Sequence, residues 1–209
     1  MRIAAAIGAA AMLAGCNVVT STTPLFSAAD ARGQPQLRPG LWIEEKQGCA
    51  VDTALPIDRW PGCADGWVVR KSEVIAGRDP GSAPSTWVHY PIVLAKGEPA
   101  VLQVAMAENG GAPTYVYGGL RALKLDPQGQ VVEYRLWPAL CGPPPDPTGK
   151  TSSMVTLQPI EGLVIDKEGQ DCVASARDPV RESVGKSEAW DGQDQQGRNM
   201  ARWVRDGES

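Results

Sequence analysis

Thr114–Leu125 (TYVYGGLRALKL), the link Asp126–Gln130 (DPQGQ) and Val131–Trp137 (VVEYRLW) decide the fold class. Two runs rich in β-branched and aromatic residues flank a short link with aspartate first and glycine fourth. That spacing suits a type I turn joining antiparallel strands. Beyond the turn, Val132, Tyr134 and Leu136 alternate with Glu133 and Arg135. A period of two places one set on a packed face and the other on the opposite face.

The same signal extends in both directions. Gly40–Lys46, Trp67–Ile75, Trp87–Ala95 and Val101–Ala107 are β-rich or alternating runs separated by Gly, Pro, Asn and Asp. In Val101–Ala107, Leu102, Val104 and Met106 share a face, with Gln103 on the other. A second turn, Ile165-Asp166-Lys167-Glu168-Gly169-Gln170, resembles the first, but its flanks differ too much for an internal duplication. One helix is expected at about Pro179–Ala189. Asp178 can cap it, Pro179 suits its first position, and Val180, Val184 and Ser187 share a face. A closing strand follows at Met200–Arg205. The fold class is therefore mainly β (α+β): one antiparallel β domain, 40–209, with a packed C-terminal helix.

Residues 16–39 are rich in Ser, Thr, Ala, Gln and Pro and read as a flexible tether. Gly142–Ser153 crowds prolines before Asp146-Pro147-Thr148-Gly149 and reads as a surface loop, as does the polar Asp191–Arg198.

The segment before the tether is a leader. Arg2 supplies a positive tip, Ile3–Leu13 is an unbroken small-apolar run, and Leu13-Ala14-Gly15-Cys16 follows directly. The run is too short to span a bilayer, which takes roughly 20 apolar residues, and has the build of an export signal. The four residues ending at Cys16 resemble the lipobox of bacterial lipoproteins. That resemblance implies a diacylglyceryl group on the Cys16 thiol, removal of residues 1–15 and acylation of the new amine. It implies a bacterial envelope protein held on a membrane through Cys16. Asn17, where an aspartate would signal inner-membrane retention, leans the address toward the outer membrane, facing the periplasm.

The formal net charge is −4, and the leader contributes Arg2 alone, so the remaining chain is mildly acidic. Such a charge opposes binding to nucleic acid or to anionic lipid by electrostatics. With Cys16 assigned to lipid, Cys49, Cys63, Cys141 and Cys172 remain. Four cysteines in an oxidising compartment read as two disulfides. Three pairings are possible, and Cys49–Cys63 with Cys141–Cys172 is preferred because each closes a local loop. Zinc favours close pairs of the C-x-x-C kind, which are missing here, so neither a metal nor a cofactor is expected.

Motifs for chemistry are few. His89 is the one histidine, and no G-x-S-x-G elbow accompanies it to hold a nucleophile. Gly149-Lys150-Thr151 mimics the end of a phosphate loop. Pro144 stands at the required glycine, however, and Pro143, Pro145 and Pro147 remove amides that would cradle phosphate. No nucleotide site is expected. Glu44-Glu45 and Asp191 with Asp194 read as solvated carboxylates. Aromatic usage is the least ordinary feature, with seven tryptophans against one phenylalanine. Trp87, His89, Tyr90, Tyr115, Tyr117 and Tyr134 form a candidate ligand or partner face. The reading that results is a non-enzymatic envelope lipoprotein whose β domain contacts another protein, in an assembly or accessory role. A module for a small or lipid-like ligand is the second reading, and a hydrolase with scattered residues the third.

Overall fold

The structure is a computed structural model that describes residues 17–45, 48–77, 86–107, 111–142, 159–166, 171–191 and 200–207. The leader with Cys16, the proline loop from 143 to 158, the tip of the second turn (167–170) and residues 192–199 of the polar stretch lie outside the described residues.

The strands are β1 (Val19–Ser21), β2 (Gly40–Glu45), β3 (Ala64–Arg70), β4 (Glu73–Ala76), β5 (Val88–Ala95) and β6 (Ala100–Met106). They continue with β7 (Thr114–Leu125), β8 (Val131–Pro138), β9 (Leu163–Ile165), β10 (Cys172–Ala174) and β11 (Met200–Arg205), with helix α1 (Arg177–Asp191) before the last. Strands β2 to β8 pair with their sequence neighbours, all antiparallel. Strand β11 then bridges β8 and β2, which closes the sheet into an eight-stranded up-and-down barrel. Closure removes the open edges that a flat sheet of these strands would leave.

Where the expected Trp67–Ile75 strand should run straight, the chain folds back at Lys71-Ser72 into two strands, with Arg70 paired to Glu73. Lys71-Ser72 lacks the Asn-Gly, Asp-Gly or Gly-X pair that marks a two-residue hairpin, so the sequence pattern reads as one strand continuing through it. In the Asp126–Gln130 link the expected turn forms. Gly129 takes φ +78° and the Asp126 carboxylate accepts from the amides of Gln128 and Gln130.

Alternation sorts the strands into two apolar layers. Trp42, Trp67, Val69, Val74, Tyr90, Leu94, Leu102, Val104, Leu120, Tyr134 and Leu136 fill the barrel interior. An eight-stranded barrel is just wide enough for its side chains to fill. The Trp42 and Tyr134 rings meet there with centroids 5.1 Å apart.

A second core forms outside the barrel. Helix α1 lays Val180, Ser183, Val184 and Ser187, all buried, against the outer face of β7 and β8. Their spacing is that of one helical face. The Trp137 indole covers Gly119, where any Cβ would collide with the ring, and donates its N–H to the Val184 carbonyl at 2.9 Å. Ser183 donates to the Leu140 carbonyl and Leu140 N–H donates to Ser187. The cysteines pair as Cys49–Cys63 and Cys141–Cys172, with Cα separations of 5.8 and 5.5 Å. The first holds the 3-10 turn Ile57–Arg59 over a third cluster with Leu41, Val68 and Ile75.

The expected flexible tether requires correction. Residues 17–39 are folded onto the barrel. Strand β1 lies between β7 and β10, Val18 and Val19 are buried, and Phe26 and Leu37 enter the second and first cores. The composition is polar overall, but its few large apolar residues all find cover. Among the described residues, no helix is long and apolar enough to cross a membrane.

Candidate functional site

On the outer face of β5 and β6, an open groove of about 540 Å³ is lined by Pro24, Phe26, His89, Pro91, Val93, Ala105, Ala107, Pro113 and Tyr115, among others. The trough exists because β6 presents the small side chains of Ala105 and Ala107 outward, with Tyr115 paired beside Ala105 across β6 and β7. Pro24, exposed on the segment after β1, forms part of its wall.

Phe26 is fixed from several sides. The Gln103 carboxamide accepts from the amides of Leu25 and Phe26, both at 2.9 Å, and donates to the Phe26 carbonyl at 3.0 Å. Tyr117 meets the ring edge-on, with centroids 6.1 Å apart. Arg177 and Arg181 of α1 approach the ring at 5.8 and 5.1 Å. Arg177 also donates to the Leu25 carbonyl and to Asp30. The Asp30 carboxyl is held below its ordinary pKa chiefly by hydrogen bonds from Ser27, with help from Arg177.

The candidate aromatic face does not stay together. His89 and Tyr115 reach the groove. Tyr117 lies buried beneath it, sharing a 2.6 Å hydrogen bond with Ser21, and burial raises its pKa. Tyr90 and Tyr134 point into the barrel. Burial, with the nearby Glu44 charge, raises the Tyr134 pKa strongly. The Trp67 indole N–H is buried beside it. Trp87 packs in the third cluster. Successive strand residues point to opposite sides, so neighbours such as His89 and Tyr90 cannot share a face.

His89 is exposed, and its Nδ1–H donates to Glu73 Oε2 at 3.0 Å. Arg70 sits 3.7 Å from the other Glu73 oxygen. A carboxylate thus orients the imidazole, but the described residues record no hydroxyl hydrogen-bonded to the ring. Nor do they hold a group of three His, Cys, Asp or Glu side chains placed to bind a metal.

The sequence reading missed Phe26, Pro24, Pro91 and Pro113, and it placed Gln103 on the face opposite Leu102, Val104 and Met106 without assigning that face a cover. Gln103 is 3 % exposed. The lone phenylalanine inside a polar stretch was the available signal. No family model, no curated protein and no solved structure matches the chain.

Proposed function

We propose that this chain is a lipid-anchored envelope protein that acts without catalysis, by seating an extended apolar segment of another envelope protein in the β5–β6 groove. The observation that carries this reading is the division of aromatic residues between the two sides of the barrel wall. The interior is occupied by Trp42, Trp67, Tyr90 and Tyr134, which leaves ligand contact to the outside. There, exposed prolines and Tyr115 border a trough of small side chains. The polar atoms of Gln103 in that floor are already hydrogen-bonded, so the groove asks for apolar contact more than for a polar ligand. Extended segments recognised this way gain from aromatic and proline walls of low conformational entropy.

The volume of the groove also falls within the range of small-molecule sites, about 300–1,000 Å³, which supports a lipid-like or other small ligand as the second reading.

The test is photo-crosslinking in intact cells, with a diazirine amino acid at Ala107 and, as control, at the exposed Leu55. A protein adduct at Ala107 that is missing at Leu55 and is lost on Ala105→Arg is the expected result. A small-molecule adduct at Ala107 transfers the conclusion to the second reading. No Ala107-specific adduct overturns both.

A further inference from the structure

Three of the seven exposed large apolar residues among the described ones, Val164, Ile165 and Val173, lie on the single hairpin β9–β10. Val164 is 68 % exposed, the highest value of the seven. It stands directly across from Val173, so the two side chains share the outward face of the hairpin. Strand β9 is also the last strand of the sheet, with no further strand paired to its outer edge among the described residues.

The chain enters the domain at the same place. Strand β1 runs parallel to β10 with Val19 beside Cys172. The amides of Asn17 and Val18 both donate to the Asp171 carboxylate at 3.1 Å, and Asp166 N–H donates to the Asp171 carbonyl. Asn17 therefore lies at the turn end of the β9–β10 hairpin, one residue after Cys16. Because residues 17–39 are packed rather than free, Asn17, the next residue after Cys16 in the sequence, is held at this surface.

We propose that the outward face of β9–β10 rests on the lipid bilayer and sets the orientation of the barrel on the membrane; this rests on the reading of Cys16 as a lipid anchor. A thioether-linked diacylglycerol on Cys16 brings the hairpin end to the headgroup level, where the branched side chains of Val164 and Val173 gain by leaving water. A protein partner is disfavoured at this face because the anchor fills the adjacent space with lipid. The Cys141–Cys172 disulfide transmits the position of the hairpin to the barrel, since Cys172 is in β10 and Cys141 follows β8.

The test uses the full-length, processed protein reconstituted in liposomes of phosphatidylethanolamine and phosphatidylglycerol. A diazirine amino acid is placed in turn at Val164, Val173, Leu55 and Leu123, all exposed. Phospholipid adducts at 164 and 173 in several-fold excess over 55 and 123 are expected. Equal yields at all four positions, or no lipid adducts at 164 and 173 while mass spectrometry finds acyl chains on Cys16, overturn the orientation alone. A Cys16 without acyl chains overturns the anchor and the orientation together. In intact cells, protein adducts replacing lipid adducts at Val164 also overturn it.

Discussion

The Gln103 carboxamide pairs with the Phe26 backbone as a neighbouring strand would, accepting from its amide at 2.9 Å and donating to its carbonyl at 3.0 Å. Both partners are buried, so the bonds have no water to replace them. Gln103→Leu keeps the volume but leaves the Phe26 amide and carbonyl unpaired. Each such group costs about 1–3 kcal/mol. The variant is expected to lose about 2–6 kcal/mol of unfolding free energy, read from the shift of a urea midpoint. A loss below about 0.5 kcal/mol, the range of surface substitutions, contradicts the clamp.

That pairing also marks where the sequence stopped being legible. Alternation located most of the barrel strands, though neither the break between β3 and β4 nor β1, and the helix fell within two residues of its expected ends, because the core face follows from period and composition. Alternation cannot say what covers the opposite face. Gln103 faces away from Leu102 and Val104, as expected, but a second layer covers it, which the alternation could not announce. The layer comes from residues 17–39, whose apolar side chains are too sparse to show a period. The aromatic candidates failed for a related reason. Tyr90 and Tyr134 belong to the inside, and which face is inside is fixed only when β11 closes the ring.

Acid should weaken the contact between helix and barrel. Glu188 accepts from Arg121 at 2.7 and 2.8 Å and from Arg135 at 2.7 Å. The hydrogen bond from Arg121, with the charges of Arg121 and Arg135, holds its pKa below the ordinary glutamate value of 4.5. A depressed folded-state pKa contributes stability that is complete above the unfolded value and is lost as pH falls through the folded one. Melting temperatures taken downward from pH 5 should fall less steeply in Glu188→Gln than in the native chain. Parallel acid limbs for the two proteins would remove Glu188 from the account.

His89→Ala should be almost silent. The imidazole is 57 % exposed and bonds one partly exposed carboxylate, an arrangement worth about 0–1 kcal/mol. The melting curve and the crosslink at Ala107 are expected to persist. If the crosslink vanished with the fold intact, the imidazole would belong to the groove's recognition chemistry.

Anchoring should depend on one sulfur atom. Cys16→Ala is expected to abolish fatty-acid labelling and to leave the Ile3–Leu13 segment on the protein, detected as a larger mass. Two or more acyl chains, at about 0.8 kcal/mol per buried methylene, hold a protein on lipid essentially for good. Label that survives on the alanine variant places the lipid elsewhere and withdraws the lipobox reading.

The two disulfides should contribute separately. Cys49–Cys63 spans 14 residues and Cys141–Cys172 spans 31. In the chain-entropy account each limits the unfolded ensemble by about 3 kcal/mol, the longer loop slightly more. For a domain of this size that corresponds to about 6–12 °C in melting temperature for each bridge. Cys141→Ala with Cys172→Ala also unties β10 from the end of β8, so it should expose 163–174 to protease while the barrel stays closed. Cys49→Ala with Cys63→Ala should instead loosen the turn over Leu41, Val68 and Ile75. Non-reducing peptide maps of protein taken from the envelope should show 49 linked to 63 and 141 to 172. Free thiols at all four positions, or a melting temperature indifferent to reduction, would show that the domain stands on its packing alone.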